Sequence, residues 1–226
     1  MIKDENYKLL SEICKGSGAS LFGVGYIADL EDNFEFLSRD TIKGLSYGIS
    51  FGIRLSMRII DDIEDHPTRL YLHHYRSINI MLDQIGIKAA NHIQENGYDA
   101  LPIPASQIMD WKKQTAHISH KMIGVRAGLG WIGRNNLLVN PHYGSCVRYG
   151  TILTDMPLKT DKALKFGCNN CMECVRVCPV NAIKKNVDEF ERIVCLDRLK
   201  YYAKTYNIGH YICGICVEVC RGKKRF

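Results

Sequence analysis

Hydrophobic residues recur at helical spacing in three stretches of the chain. The longest stretch runs from residue 68 to residue 96, and Gly97 follows it as the predicted C-terminal cap. Its apolar positions are Leu72, Tyr75, Ile78, Leu82, Ile85, Ala89 and Ile93. Residues 5–15 show the same periodicity and predict a first helix, and residues 117–127 predict a third, which ends at Gly128.

Short apolar runs between these helices predict β-strands at 20–27, 45–55, 98–104, 137–139 and 146–153. Because helices and strands alternate, residues 1–158 are predicted to form an α/β (α+β) domain. The cysteine-rich remainder, 159–226, is predicted to form a second, smaller domain. No apolar run reaches the roughly 18 residues of a membrane-spanning helix, and the charged N-terminus does not resemble a secretory signal. The predicted location is therefore the cytoplasm.

The cysteines after residue 167 carry the strongest chemical signal. Cys168, Cys171, Cys174 and Cys178, followed by a proline, have the C-x2-C-x2-C-x3-C-P spacing of a bacterial ferredoxin. Downstream, Cys213, Cys216 and Cys220 form an incomplete second copy, and Cys195 supplies the missing ligand.

In two-cluster domains the fourth cysteine of each run binds the other cluster. The prediction is therefore two [4Fe–4S] clusters per chain. One is held by Cys168, Cys171, Cys174 and Cys220, and the other by Cys178, Cys195, Cys213 and Cys216. Zinc, or a single cluster, remains the alternative. Cys14 is predicted to be a core residue of the first helix, and Cys146 a strand residue.

The net charge of +6 is concentrated in the cysteine-rich stretch. Residues 159–226 carry 14 Lys and Arg against 7 Asp and Glu, whereas the rest of the chain is close to neutral. Each oxidised cluster with its four thiolates carries a charge of about −2, so two clusters offset much of this excess. A nucleic-acid-binding patch is not required. The basic tail 221–225 is either a solvated end or a docking element for an acidic partner.

A glycine-rich loop, A-G-L-G-W-I-G-R-N, occupies residues 127–135. Its glycines match G-x-G-x-x-G, but the loop follows a predicted helix and precedes a strand, the reverse of a dinucleotide-binding fingerprint. A Rossmann-type site is therefore not predicted. Glycines permit a close approach to the backbone, so the loop is interpreted as the wall of a site for a flat cofactor.

This loop, the P-x-Y-G turn at 141–144, the Val147-Arg148 strand and the cysteine runs together resemble epoxyqueuosine reductases and the C-terminal half of reductive dehalogenases. The resemblance implies a nitroreductase-like cobalamin-binding domain, followed by a bacterial two-[4Fe–4S] ferredoxin-like domain. It implies an iron–sulfur, corrinoid-dependent reductase, whose clusters pass electrons from ferredoxin or flavodoxin to a base-off cobalamin. The residues it assigns to the corrinoid are Gly128, Leu129, Gly130, Trp131, Ile132, Gly133 and Arg134.

The chain also departs from this family. Epoxyqueuosine reductases place an acidic proton donor before the glycine loop, and the matching residue here is Gln114, with Asp110 the nearest carboxylate. The substrate is therefore left open between tRNA, a small molecule and a corrinoid protein. The alternative function is an electron-transfer protein or a reductive activator of a corrinoid protein, with no small-molecule substrate of its own.

Five residues are candidates for acid–base or substrate-binding roles: Tyr143, Asp110, His117, His120 and Arg148. His117 and His120 are three residues apart, which places them on one face of the predicted helix. Each candidate has a structural alternative. The histidines can be buried and hydrogen-bonded, Tyr143 can pack in its turn, Arg148 can pair with a carboxylate, and Asp110 can be a solvated loop residue.

The first testable prediction concerns iron. Protein purified without oxygen should contain about eight iron atoms per chain, because two cubane clusters hold four each. Iron and acid-labile sulfide analysis measures this number directly. About four irons per chain, or stoichiometric zinc, would contradict the assignment of eight cysteine ligands.

Overall fold

The structure, a computed structural model, describes residues 1–106, 108–110, 112 and 115–222. The helices are α1 (Ile2–Gly16), α2 (Arg39–Ile42), α3 (Met57–Ile60), α4 (Arg69–Glu95), α5 (His120–Arg126), α6 (Glu173–Val177), α7 (Arg192–Thr205) and α8 (Ile215–Glu218). The strands are β1 (Leu21–Tyr26), β2 (Tyr47–Arg54), β3 (Ala100–Ile103), β4 (Trp131–Ile132), β5 (Leu138–Val139) and β6 (Val147–Thr154). Short 3-10 turns occur at Ala28–Asn33 and Val187–Glu189.

The chain forms two compact units, each built from three stretches. The first, here called the sheet unit, comprises Met1–Ile53, Asn79–Leu129 and Arg148–Leu164. The second, the cysteine unit, comprises Arg54–Ile78, Gly130–Val147 and the chain from Lys165 onward, so it holds all eight predicted cluster ligands. The predicted division into domains 1–158 and 159–226 stays a prediction.

The sheet unit contains a four-stranded sheet in the order β1-β2-β6-β3. β1 pairs antiparallel with β2, and β3 pairs antiparallel with β6. The predicted mixed helix-and-sheet fold is confirmed, and each predicted strand in this unit has an observed counterpart. Within the described residues, no helix has the length and apolar character needed to cross a membrane.

Helix α4 follows its predicted bounds closely because its end is specified locally. Gly97 adopts a φ of +81°, and its N–H donates to the carbonyl of Gln94. A left-handed glycine just beyond a helix satisfies the last free carbonyls, which ends the helix there. The sequence signal was therefore enough to place this boundary.

Helix α5 begins later than predicted. Ser119 is its N-cap, and the Ser119 hydroxyl accepts a hydrogen bond from the N–H of Met122. An N-cap residue has extended backbone geometry and so precedes the helix proper. His117 lies before this cap, outside the helix, so the expectation that His117 and His120 share one helix face is wrong.

Glycines in β1 and β2 let the end of α5 lie directly on the sheet backbone. A Cβ atom on Gly23 would overlap the carbonyl oxygen of Ala127, and one on Gly48 would lie 2.8 Å from a side-chain carbon of Ile123. Nearby, a buried apolar cluster fills the same unit. It comprises Ile27, Leu30, Phe34, Ile42, Leu45, Ile103, Ile118, Ile123 and Leu153.

Gly23→Ala should therefore destabilise the protein by about 1–3 kcal/mol, because the added methyl must displace backbone rather than a flexible side chain. Gly16→Ala is the matched control, since a Cβ there has no neighbour within 4 Å. The control should be neutral or slightly stabilising. Urea denaturation of both variants measures the difference, and equal free energies of unfolding would refute the close contact.

Candidate iron–sulfur site

The first predicted set of four cysteines converges in the cysteine unit. Cys174 is buried, which raises the pKa of its thiol, and the negative charges of Cys220, Cys168 and Cys171 raise it further, to about 11. Cys220 interacts electrostatically with Cys168 and Cys171 in the same way. A cysteine 46 residues after Cys174 therefore lies near the first run, as the predicted crossed pattern of a two-cluster domain requires.

The four cysteines of the second predicted set also lie close together. Burial raises the pKa of Cys213 to about 11, and the charges of Cys195 and Cys178 add to the effect. Burial also raises the pKa of Cys216 well above its usual value, with contributions from Cys213, Cys195, Cys174 and Cys178. Cys174 belongs to the first set, so the two sets are near neighbours.

Single metal ions need a tighter arrangement than cubane clusters do. Within the described residues, no three His, Cys, Asp or Glu side chains come together closely enough to hold one ion. A cubane spreads its four thiolates over four iron atoms, whereas a zinc ion draws four ligands onto one centre. The donor set is chemically suited to iron–sulfur clusters, since thiolates are their usual ligands.

The indole of Trp131 lies against the first cysteine loop. Its Nε1–H donates a hydrogen bond to the Sγ atom of Cys168, at 3.3 Å. A Cβ atom on Gly167 would lie 2.6 Å from the six-membered ring of Trp131, so only glycine allows the ring this close to the backbone. Trp131 therefore contacts a predicted cluster ligand directly.

The Arg134 guanidinium holds the same loop through its backbone. It donates to the carbonyl oxygens of Lys185 at 2.6 Å, Cys171 at 3.0 Å and Asn169 at 2.8 Å. Arg134 is only 7% exposed, and its guanidinium lies 5.4 Å from the ring centre of Phe166. Within the described residues no carboxylate pairs with it, so its positive charge is buried without a carboxylate partner.

Asn135 and Ser145 form a buried chain of hydrogen bonds that leads to Cys220. The Asn135 amide donates to the Ser145 hydroxyl at 2.8 Å. Burial raises the pKa of Cys220, while hydrogen bonds from the Ser145 hydroxyl and backbone N–H oppose that rise. Sequence reasoning did not single out these two residues for a role, because neither is a metal ligand or an acid–base group.

The P-x-Y-G turn packs on the same cysteine. Gly144 has a φ of +58°, and a Cβ atom there would overlap the carbonyl oxygen of Cys220. That oxygen also accepts a hydrogen bond from the Ser145 N–H. Tyr143 is half-buried in the turn, with its ring 5.3 Å from the Arg54 guanidinium. Packing on Arg54 matches the structural alternative for Tyr143, and its role as a proton donor stays a prediction.

Each glycine of the loop is explained by a contact within this chain. Gly128, with φ +68°, is the C′ residue of α5, and the N–H groups of Gly128 and Leu129 donate to the carbonyls of Val125 and Gly124. A Cβ on Gly130 would overlap the Val139 carbonyl, and one on Gly133 would lie 2.5 Å from the Val139 side chain. The close approach that these glycines allow is to this chain's own atoms.

The loop thus divides between the two units. Gly128 and the buried Leu129 belong to the sheet unit, whereas Gly130, Trp131, Ile132, Gly133 and Arg134 belong to the cysteine unit. The polar side chains of the second part contact cysteine loops. Binding of a corrinoid by these residues stays a prediction, and the glycines by themselves no longer argue for it.

His120 is held as a neutral imidazole. Its Nε2 lies 2.9 Å from the carbonyl oxygen of Pro104, which can only accept, so Nε2 carries the proton and Nδ1 accepts from the Thr151 hydroxyl at 2.8 Å. Burial of the ring lowers its pKa to about 4, and the nearby positive charge of Arg148 contributes. His120 is half-buried, and its two hydrogen bonds match the structural alternative of a hydrogen-bonded histidine.

Arg148 and Asp110 also have partners within the chain. The Arg148 guanidinium donates to Asn79 Oδ1 at 2.9 and 3.1 Å and to the Ala105 carbonyl at 3.3 Å. Asp110 is half-buried, and its Oδ1 accepts from the Lys112 N–H at 2.8 Å. The structure brings Arg148 near His120 but joins neither to Asp110 through a described contact. Catalytic roles for these residues stay predictions.

Two predictions, on Gln114 and on the basic tail, concern residues that the structure does not describe or describes only in part. Gln114, at the position of the family's acidic residue, lies outside the described residues. In the basic tail, Arg221 pairs with Asp61 at 2.7 Å and with Glu218, while residues 223–225 lie outside the described residues. Arg221, the first arginine of the tail, therefore forms its ion pairs within the cysteine unit. Cys14 is buried in α1, which confirms its prediction as a core residue of the first helix. Cys146 is buried as well, but it directly precedes β6, so its prediction as a strand residue is wrong by one position.

Two buried hydroxyls are candidates for contact with a bound cofactor. Ser50 lies two residues from Gly48, and Tyr149 two residues from Thr151, so alternation places both on the sheet face that carries α5. Among the described residues, neither Ser50 Oγ nor Tyr149 OH has a hydrogen-bond partner. Buried hydroxyls are normally satisfied, so this face is suited to a polar group of a bound molecule.

Comparison with known proteins supports the iron–sulfur assignment. A family model described as a 4Fe-4S binding domain matches residues 167–184. The chain is 32% identical over 117 residues to an epoxyqueuosine reductase of Bacillus cereus, which covers 49% of this chain and 31% of that relative. The chain thus aligns with about a third of the relative's length. The resemblance predicted from the motifs is confirmed.

Solved structures show the same fold. An epoxyqueuosine reductase bound to a modified tRNA-Tyr stem loop superposes with a TM-score of 0.63 at 19% identity, covering 95% of this chain and 65% of that one. A reductive dehalogenase described in connection with B12-dependent dehalogenation superposes with a TM-score of 0.63 at 20% identity, covering 81% and 26%. These relatives are oxidoreductases.

The low pKa of His120 makes a prediction about acid stability. The unfolded chain takes up a proton on this histidine near pH 6.5, whereas the folded imidazole stays neutral down to about pH 4. The stabilisation is complete above pH 6.5 and is lost as the pH falls toward 4. His120→Gln should therefore lose less stability between about pH 7 and about pH 5 than the wild type does.

Urea denaturation at the two pH values measures this difference. His73→Gln is the matched control, because His73 is an exposed histidine of α4, and it should keep the wild-type pH dependence. An unchanged pH dependence in His120→Gln would refute the neutral, internally bonded histidine.

Proposed function

We propose that this chain is an iron–sulfur reductase of the epoxyqueuosine reductase type, in which two [4Fe–4S] clusters pass electrons to a bound corrinoid. The observation that carries the proposal is the crossed grouping of the cysteines. Cys220 groups with the first run, and Cys178 with Cys195, Cys213 and Cys216. Such crossing is the arrangement of two-cluster ferredoxin domains, and the matched 4Fe-4S family model supports it.

Electron transfer alone does not account for the sheet unit. That unit has the fold of proteins that reduce a substrate, and one of them is described in connection with B12-dependent dehalogenation. A bound corrinoid would supply the strongly reducing centre that such chemistry needs. This chain's own contribution would be the unsatisfied hydroxyls of Ser50 and Tyr149 on the α5 face, and a sheet interior that excludes water.

The substrate belongs to the proposal as well. A related protein was solved with an epoxyqueuosine-modified tRNA stem loop, so a modified tRNA base is the first substrate to test. A small molecule or a corrinoid protein remains an alternative. The electron donor is proposed to be a ferredoxin or a flavodoxin, and the location a reducing cytoplasm, where cysteine thiols stay available for iron.

A second function is favoured by the state of His120. Both of its ring nitrogens are used internally and its pKa is about 4, so it holds no acidic proton at neutral pH. A reductive activator of a corrinoid protein would need no proton donor of its own. The two functions differ in whether this chain itself converts a substrate.

Anaerobic reconstitution with iron, sulfide and cobalamin tests the proposal. The EPR spectrum of bound cob(II)alamin should lack the nitrogen splitting of an axial base, and an epoxyqueuosine-modified tRNA stem loop should be reduced when a low-potential donor is added. If cobalamin binds but the stem loop is unchanged, the substrate part is wrong. If no cobalamin binds, the corrinoid part is wrong.

Single cysteine variants test the ligand sets. Cys195→Ser should remove one cluster and leave about four iron atoms per chain, because Cys195 belongs to one set only. Cys14→Ala is the matched control, since Cys14 is buried far from both runs in sequence and should keep about eight. Iron analysis and EPR of the reduced proteins give the answer. Full iron content in Cys195→Ser would overturn the assignment.

A further inference from the structure

Three side chains of the segment 131–135 are directed at one cysteine set. Trp131 donates to the Cys168 sulfur, Arg134 to the backbone of the same loop, and Asn135 to the serine that bonds Cys220. Hydrogen bonds to cluster sulfurs and nearby charge are among the factors that set a cluster's reduction potential. The resemblance assigned Trp131 and Arg134 to a corrinoid instead.

Arg134 is a buried cation in an unusual electrostatic position. Its three described hydrogen bonds go to neutral carbonyl groups, and no described carboxylate balances its charge. An unpaired buried charge is costly unless another group compensates it. The cluster with its four thiolates, at a charge of about −2, would provide that compensation. Arg134 already lowers the pKa of Cys174, which opposes the effect of the other thiols.

We propose that Trp131 and Arg134 raise the reduction potential of the cluster held by Cys168, Cys171, Cys174 and Cys220. The proposal rests on the proposed function, because it needs that cluster to form. In the step concerned, the cluster accepts one electron from a low-potential one-electron donor, and the charge of cluster plus thiolates changes from about −2 to about −3. No bond is broken and no proton is required.

Both residues favour the product of this step. A buried positive charge interacts more strongly with a charge of −3 than with −2. The indole N–H places the positive end of its dipole at the Cys168 sulfur, where part of the added charge resides. Both residues act through the cysteine loop, so they are positioning and tuning residues of the cluster.

The second set has a different environment. A backbone N–H of Ile215 bonds Cys213, and Arg198 acts on the same thiol through its charge. Arg198 stacks on Tyr201 and Tyr202 and is only half-buried, so solvent screens its charge more than that of Arg134. The two clusters are therefore expected to differ in potential, with the first cluster the more easily reduced.

An EPR-monitored redox titration of the reconstituted protein tests the proposal. Arg134→Met removes the charge, and Trp131→Phe removes the N–H while keeping a ring over Gly167. Each should lower the midpoint potential of one cluster and leave the other unchanged. The expected shift for Arg134→Met is about tenfold in the equilibrium constant, or ~59 mV for a one-electron couple.

Two controls separate charge from structural support. Arg134→Lys keeps the charge but cannot make the same three hydrogen bonds, so its midpoint should stay closer to the wild type than that of Arg134→Met. Arg176→Met removes an exposed arginine that pairs with Glu173 in α6, between two cluster ligands, and should shift neither midpoint. Iron content is measured for every variant.

The outcomes distinguish the inference from the function it rests on. If the wild type holds no cluster on reconstitution, the proposed function fails, and the inference fails with it. If the wild type titrates normally but Arg134→Met and Trp131→Phe keep its midpoints, only the inference is overturned. Equal loss of iron in Arg134→Met, Arg134→Lys and Trp131→Phe would show that these residues only hold the loop, which also overturns it.

Discussion

The contact between the segment Gly130–Val147 and the cysteine loops is the interaction on which the candidate site depends. A loop that wraps a cluster cannot pair its carbonyl groups in a helix or sheet, so other groups must satisfy them. Arg134 does this for three carbonyls, and the Ser145 N–H does it for Cys220. The glycines at 130 and 144 are needed because the backbones involved lie so close together, and Gly133 is needed because the side chains of Val139 and Asn135 lie against it.

Because of this arrangement, the structure of the cysteine unit is expected to depend on whether metal is bound. The buried thiols have raised pKa values, so in the absence of iron they are protonated at neutral pH. Cluster assembly would then exchange protons for iron and would supply the negative charge that Arg134 otherwise lacks. Two clusters, at a charge of about −2 each with their thiolates, would also offset much of the charge excess of residues 159–226.

The sequence predicted the elements whose signals are local and missed what depends on distant contacts. The bounds of α4 followed from its periodicity and from Gly97, and the cysteine sets followed from ligand spacing. The start of α5 was misplaced because the Ser119 cap was not recognised. The role of the glycine loop as a corrinoid wall stays a prediction, because a sequence does not show what a glycine faces. Here a Cβ atom on Gly130 would overlap the Val139 carbonyl, and one on Gly133 would lie 3.6 Å from the Cys168 sulfur.

The most direct test of the account is the EPR spectrum of the anaerobically reduced protein, integrated for spin. Cys174 of the first set and Cys216 of the second interact electrostatically, so the two reduced clusters should be close enough to couple magnetically. The account predicts about two spins per chain, with the broadened lines of interacting clusters. A single sharp signal of about one spin per chain, at full iron loading, would contradict it.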